Sequence, residues 1–149
     1  MPAVLFDTNI WIAAVFTTHP FHGLAQNALQ QATPSEPAVF CRATQQSFLR
    51  LASTPAIQKV YGAEGLTNRD ALVALDALQS LPQCSQRDEP PGVFALWRTL
   101  ATRSTASPKV WMDAYLAAFA LAGGLRLITL DGDFRTFVPQ GLDLMLLQP

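Results

Sequence analysis

Cysteine is scarce in this chain. Cys41 and Cys84 are the only two among 149 residues, and their spacing suits neither a disulfide framework nor a zinc site, so both are expected to be reduced thiols. Long apolar runs are missing too. Hydrophobic residues make up 50% of the chain, but no run approaches, unbroken, the roughly 20 residues that a membrane-spanning helix needs. No charged segment precedes the first apolar stretch, so no secretory leader is expected and the expected address is the cytoplasm. Charge is also sparse: 14% of residues are charged and the net charge is −1. That counts against a surface coated in basic residues for general nucleic-acid binding. Lys and Arg are absent before Arg42 and scattered from there to Arg135. Repeats, low-complexity tracts and breaks in composition are likewise absent, and the length suits one domain, residues 1–149, with a buried core.

What is present is organised around residues 110–134, VWMDAYLAAFALAGGLRLITLDGDF. The Ala- and Leu-rich run from Tyr115 to Ala122 predicts a helix, which carries Asp113 near its start, and Gly123-Gly124 predicts its end. Leu125, Leu127, Ile128 and Leu130 predict a short buried strand, with turn-forming Asp131-Gly132-Asp133 just past it. At the other end of the chain, Ala3 to Phe6 predicts a second buried strand, followed at once by Asp7-Thr8-Asn9. In open α/β sheets, ligands bind beyond the carboxyl ends of the strands. If the two strands are parallel neighbours, Asp7, Asp113 and Asp131 or Asp133 meet there. Carboxylates held together repel one another unless a positive charge lies between them. Hard oxygen donors at a half-open site suit Mg2+, or alternatively Mn2+.

These three segments resemble the motifs of PIN-domain ribonucleases, and within them the VapC-type toxins of bacterial toxin–antitoxin pairs. The likeness rests on Asp7-Thr8-Asn9, on Asp113-Ala114-Tyr115-Leu116-Ala117-Ala118 and on Thr129-Leu130-Asp131-Gly132-Asp133-Phe134. It covers nearly the whole chain, in order. Each motif alone is weak, whereas the three together in so short a chain are fairly specific. The resemblance implies a three-layer α/β/α sandwich with a mainly parallel sheet of about four or five strands. It also implies cleavage of RNA, metal ligation by Asp7, Asp113, Asp131 and Asp133, a homodimer, and a small antitoxin whose tail covers the acidic pocket. One departure stands out. Where PIN domains usually carry a further acid, most often Glu, near the start of the helix after the second strand, this chain has Thr44, Gln45, Gln46 and Ser47. Gln45 is the nearest stand-in, offering an oxygen without a charge.

The remaining residues carry weaker signals. Asn9 is a plain helix N-cap or a group that orients Asp7, and the two roles are compatible. Thr129 is a donor to a carboxylate or a strand residue satisfied by backbone. His19 and His22, at a loop-to-helix junction, fit capping or packing better than catalysis. Helices are expected over 10–16, 23–32, 42–51, 71–81 and 93–102, strands over 38–41, around Cys84 and over 142–147, and a short turn over 57–61. Thr67 and Asp70 predict a capping box, and Phe94, Trp97 and Ala101 a buried stripe. Lys109 and Trp111 lie close enough to Asp113 in sequence to touch substrate. Two other functions stay open. A haloacid-dehalogenase-type phosphohydrolase also has Asp after its first strand, but it requires a second Asp where Asn9 stands. A PIN-like module without catalysis, acting by binding RNA or a protein, would explain the absent Glu.

Overall fold

The computed structural model describes residues 2–148. The chain opens with strand β1 (Val4–Phe6) and helix α1 (Thr8–Val15). It continues with α2 (His22–Gln31), β2 (Ala38–Phe40), α3 (Arg42–Ala52), α4 (Pro55–Val60), α5 (Asn68–Gln79) and β3 (Cys84–Gln86). It closes with α6 (Val93–Ala101), α7 (Val110–Gly123), β4 (Arg126–Thr129), a 3-10 helix (Gly132–Gln140) and β5 (Leu144–Leu146). The strands form one sheet in the order β3-β2-β1-β4-β5, and every neighbouring pair is parallel. Among the described residues the expected mainly parallel sheet therefore has five strands and no antiparallel pair.

Side chains alternate across a strand, and the sequence uses both faces. Val4, Phe6, Phe40 and Ile128 turn into a core shared with α1, α2, α3 and α5. Leu5, Val39 and Leu127 turn into a second core, filled by α6, α7 and the 3-10 helix. This is the three-layer α/β/α sandwich. Trp11 on α1 stacks on Phe40 with ring centroids 3.7 Å apart; deleting a ring packed that way costs about 3–5 kcal/mol. Helix α7 is buried along Ala114 and Leu116–Ala120, and its small residues let it lie close to both α6 and the sheet. Gly124 ends it in the left-handed conformation, at φ 64°, which glycine adopts without a steric penalty.

Local expectations need four adjustments. The turn expected over 57–61 belongs to helix α4, with Pro55 in its first turn, where a missing N–H costs nothing. The turn expected at Asp131-Gly132-Asp133 opens a 3-10 helix that runs to Gln140. In α5 the helical spacing predicts an apolar face of Ala71, Leu72, Ala74, Leu75 and Leu78; Ala71, Leu75 and Leu78 are buried, while Leu72 faces solvent. In α6 the core takes Val93, Leu100 and Ala101, and Phe94, expected inside, is 58% exposed. The capping box forms as expected: the Asp70 N–H donates to Thr67 Oγ1 at 3.1 Å, and the Thr67 N–H donates to Asp70 Oδ2 at 2.8 Å. Among the described residues no helix is long and apolar enough to cross a membrane.

Candidate active site

Strand register brings the first two pieces together. Phe6 pairs with Ile128, so one residue further along Asp7 comes level with Thr129. The Asp7 N–H continues the ladder, donating to the Ile128 carbonyl at 2.9 Å. Thr129 is fully buried, and its hydroxyl donates to Asp7 Oδ2 at 2.7 Å. Thr129 Oγ1 itself accepts from the Asp131 N–H at 3.0 Å and from the Asn9 amide at 3.3 Å. Asn9 Oδ1 in turn accepts from the Leu130 N–H at 3.3 Å. Thr129 thus ties the β1 end, the β4 end and α1 into one unit. The cap of α1 is Asp7 itself, whose Oδ1 accepts from the Thr8 N–H at 2.7 Å. Asn9 lies inside the helix and braces Thr129 instead of capping.

The second half of the site is built on a cation. The Lys109 ammonium meets Asp131 in a short ion pair, Asp133 Oδ2 at 2.8 Å and Asp113 Oδ2 at 3.4 Å. Lys109 and Asp113 are four residues apart at the start of α7, the spacing that puts two side chains on one helix face. Asp131 caps the 3-10 helix, its Oδ1 accepting from the Asp133 N–H at 2.9 Å, which leaves Oδ2 for the ammonium. The starts of α1, α7 and the 3-10 helix therefore all open toward this cluster. Unpaired N–H groups at helix N-termini favour negative charge.

The acids differ in their surroundings. Burial pushes the Asp7 carboxyl above its ordinary value; the bonds from Thr129 and Thr8 oppose this, and the nearby charges of Asp113 and Asp131 add to it. Asp113 is also raised, chiefly by burial, against the pull of Lys109 and with the push of Asp131 and Asp133. For Asp131 burial pushes upward, but the Lys109 ammonium and the Asp133 N–H together hold it below its ordinary value. Lys109 is raised in return, first by its hydrogen bonds to Asp131 and Asp133. Two of the acids are thus under-compensated even with the ammonium present.

Gln45 does not join this cluster. Its Oε1 accepts from Arg42 at 2.9 Å and its Nε2 donates to Gln79 on α5, so its amide ties α3 to α5. Thr44 is buried and bonded to the backbone of Cys41, where it completes a capping arrangement. Gln46 is exposed. The histidines are local: the His22 ring shares a hydrogen bond with the Ala13 carbonyl at 2.8 Å, and His19 Nδ1 accepts from the Phe21 N–H at 3.0 Å. Lys109 was legible only as a neighbour of Asp113; its place at the centre of three carboxylates was not, although the four-residue spacing carries part of that signal.

Among the described residues, no three Asp, Glu, His or Cys side chains form a ready-made metal cage. The cluster instead closes around Lys109. Its donors still suit a hard divalent cation, because they are all carboxylate oxygens, and burial disfavours the charged form of two of them, Asp7 and Asp113, when no further cation is present. The ammonium, whose side chain is 58% exposed, marks where a cation is held now. Asp7, Asp113, Asp131 and Asp133 are the residues that could hold a metal.

Comparison with known proteins bears on family and fold. The family model described as PIN domain matches residues 4–138. The chain is 44% identical to Ribonuclease VapC41 of Mycobacterium tuberculosis over 147 residues, covering 97% of this chain and 98% of that protein. It is 27% identical to Ribonuclease VapC31 of the same organism, over 89% of this chain and 92% of the relative. Solved structures share the fold at low identity. VapBC2 from Rickettsia felis, bound to a DNA fragment from its promoter, aligns with a TM-score of 0.67 and 16% identity over 97% of this chain and 98% of that one. VapC20 of M. tuberculosis, a sarcin-ricin loop cleaving toxin, aligns at 0.64 and 17% over 99% and 100%.

Proposed function

The chain belongs to the PIN-domain family, and we propose that it is an endoribonuclease that hydrolyses phosphodiester bonds in RNA with a divalent ion, Mg2+ or Mn2+, as the toxin of a toxin–antitoxin pair. One observation carries the reading. Asp113, Asp131 and Asp133 gather around a single positive charge, and Asp7 is tied to the same place through Thr129. Acids from three distant segments have no structural need to meet at a sheet edge. A cluster of four acids that shares one ammonium is costly to fold, whereas a bound divalent cation turns it into a site.

Each side chain has a separable task. Asp7 is held rigid, with Oδ1 fixed by the Thr8 N–H and Oδ2 by the Thr129 hydroxyl. Asp131 is oriented by the Asp133 N–H, and Asp113 stands on the first turn of α7. When bound, the ion supplies Lewis acidity at a phosphate oxygen and makes an attacking water more acidic. The converging helix N-termini favour the negative charge that builds up on the phosphate in the transition state. Lys109, mostly exposed, is free to release the carboxylates and meet a phosphate. No side chain need form a covalent intermediate.

The test is cleavage of single-stranded RNA by the wild-type chain and by Asp7→Asn, in Mg2+ and in EDTA. The wild type is expected to cut only with the metal, and Asp7→Asn to be inactive. Absence of Mg2+- or Mn2+-dependent cleavage of any RNA would favour the binding module without catalysis, which the engaged Gln45 amide supports. The similarity to VapC ribonucleases and to the fold of a VapBC protein supports an antitoxin as partner, and the expected homodimer is checked by light scattering of the purified chain.

A further inference from the structure

The start of α7 has a second side. Trp111 is 57% exposed and Met112 46% exposed, an unusual outlay of apolar surface in a turn that also carries Asp113. Two residues apart on a helix, Trp111 and Asp113 point away from each other, so Trp111 serves neither the carboxylates nor the core. The Trp97 indole N–H fixes its backbone, donating to the Trp111 carbonyl at 2.8 Å, and the two rings meet edge to face with centroids 6.1 Å apart. Trp111 stands between two hollows. One, of about 340 Å³, is lined by Ala43, Trp97, Pro108, Met112 and Tyr115 as well as Trp111. The other, of about 460 Å³, shares Pro108 and Trp111 and is lined by Arg103, Thr102, Thr105 and Ser107.

Charge decides what fits there. Between Glu89 and Asp113 the chain carries no acid; Lys109 is engaged by the carboxylates, which leaves Arg98 and Arg103 as the other cations of this stretch. Glu89 itself, at the edge of this region, accepts from the Tyr115 hydroxyl at 2.8 Å. An exposed indole beside hydroxyls and the Arg103 guanidinium matches an unpaired base followed by its phosphate, the combination by which proteins hold single-stranded nucleic acid. The end of α7 is on the order of 10 Å across, so a strand crossing it would have a phosphate at the acids and a base at Trp111 a few nucleotides away. We propose that Trp111 is the stacking platform of a nucleobase subsite, with Arg103 and the hydroxyls of Thr102, Thr105 and Ser107 holding the adjoining backbone. This inference rests on the ribonuclease reading of the neighbouring acids.

The experiment separates the two. In the Asp7→Asn background with EDTA, a fluorescein-labelled single-stranded oligoribonucleotide and its duplex form are titrated against Trp111, Trp111→Ala and Trp111→Phe chains by anisotropy. The alanine variant is expected to bind the single strand about tenfold more weakly, the phenylalanine variant to recover most of the loss, and the duplex to show no such difference. Equal single-strand affinity for all three chains would overturn the proposal, as would equal losses on both RNA forms. So would a change of oligomeric state in Trp111→Ala with RNA affinity intact, since that face would then contact protein. Failure of Asp7→Asn to bind the single strand at all also overturns the subsite, while Mg2+-dependent cleavage by the wild type would still leave the nuclease reading standing. In the active chain, Trp111→Ala is expected to raise KM with kcat little changed.

Discussion

Replacing Thr129 with valine tests the site at its hub. The two side chains have nearly the same shape, so Thr129→Val opens no cavity in a position that is fully buried. What disappears is one hydroxyl that donates to Asp7 Oδ2 and accepts from the Asp131 N–H and the Asn9 amide. A hydrogen bond to a charged group contributes about 1.5–3 kcal/mol, and a buried donor left without a partner costs about 1–3 kcal/mol. With some relaxation around the site, the expected loss is about 2–4 kcal/mol. Thr129→Ser is the control: it keeps the hydroxyl and removes one buried methyl group, for about 1 kcal/mol. Urea unfolding in EDTA, analysed by linear extrapolation, measures both. The valine chain is expected to be clearly the less stable. It should also need higher pH for divalent binding, because Asp7 loses the hydrogen bond that most opposes its upward shift. A valine chain as stable as the serine chain would refute the idea that this hydroxyl holds the carboxylates in place.

Other consequences are as direct. Burial raises the folded-state Asp7 pKa above its ordinary 3.8, so the folded chain keeps a proton that the unfolded chain has lost, and metal-free stability attributable to Asp7 falls as pH rises from about 3.8 through the raised value. Metal-free Asp7→Asn should therefore equal the wild type in stability below that window and exceed it above; no growing difference in paired urea titrations would contradict this. Lys109→Met removes the ammonium that a divalent ion must displace, so calorimetry should show Mn2+ binding severalfold tighter, and weaker binding would mean that the ammonium assists the ion. Mg2+ should raise the melting temperature of the wild type through mass action, and Asp113→Asn should abolish most of that rise. Gln45→Glu is expected to pair with Arg42 and leave Mn2+ affinity unchanged; a large gain would place residue 45 at the metal after all.

Much of this was legible in the residues themselves because the informative features are local. An apolar strand followed by Asp, twice, marks one sheet edge, and parallel pairing of β1 with β4 turns those two sequence positions into spatial neighbours. The Ala-rich run of α7 and its glycine stop likewise depend on intrinsic preferences. What escaped depends on partners far along the chain. Gln45 reads as a free amide until Gln79, 34 residues later, takes one end of it. Phe94 and Trp97 have helical spacing, but periodicity cannot tell which face of α6 meets α7 and which meets solvent. Helix α4 is a six-residue segment, too short for any period to show. Asn9 was equally plausible as a cap, and only the side-by-side placement of Asp7 and Thr129 makes it a brace.

The most direct measurement is anomalous diffraction from a crystal of the wild-type chain soaked in Mn2+. The expected result is an ion among Asp7, Asp113 and Asp131, with the Lys109 ammonium moved off the carboxylates it now contacts. An ion bound only at the exposed Asp133, or no ion near Asp7 at saturating Mn2+, would contradict the claim that these separated acids form one metal site.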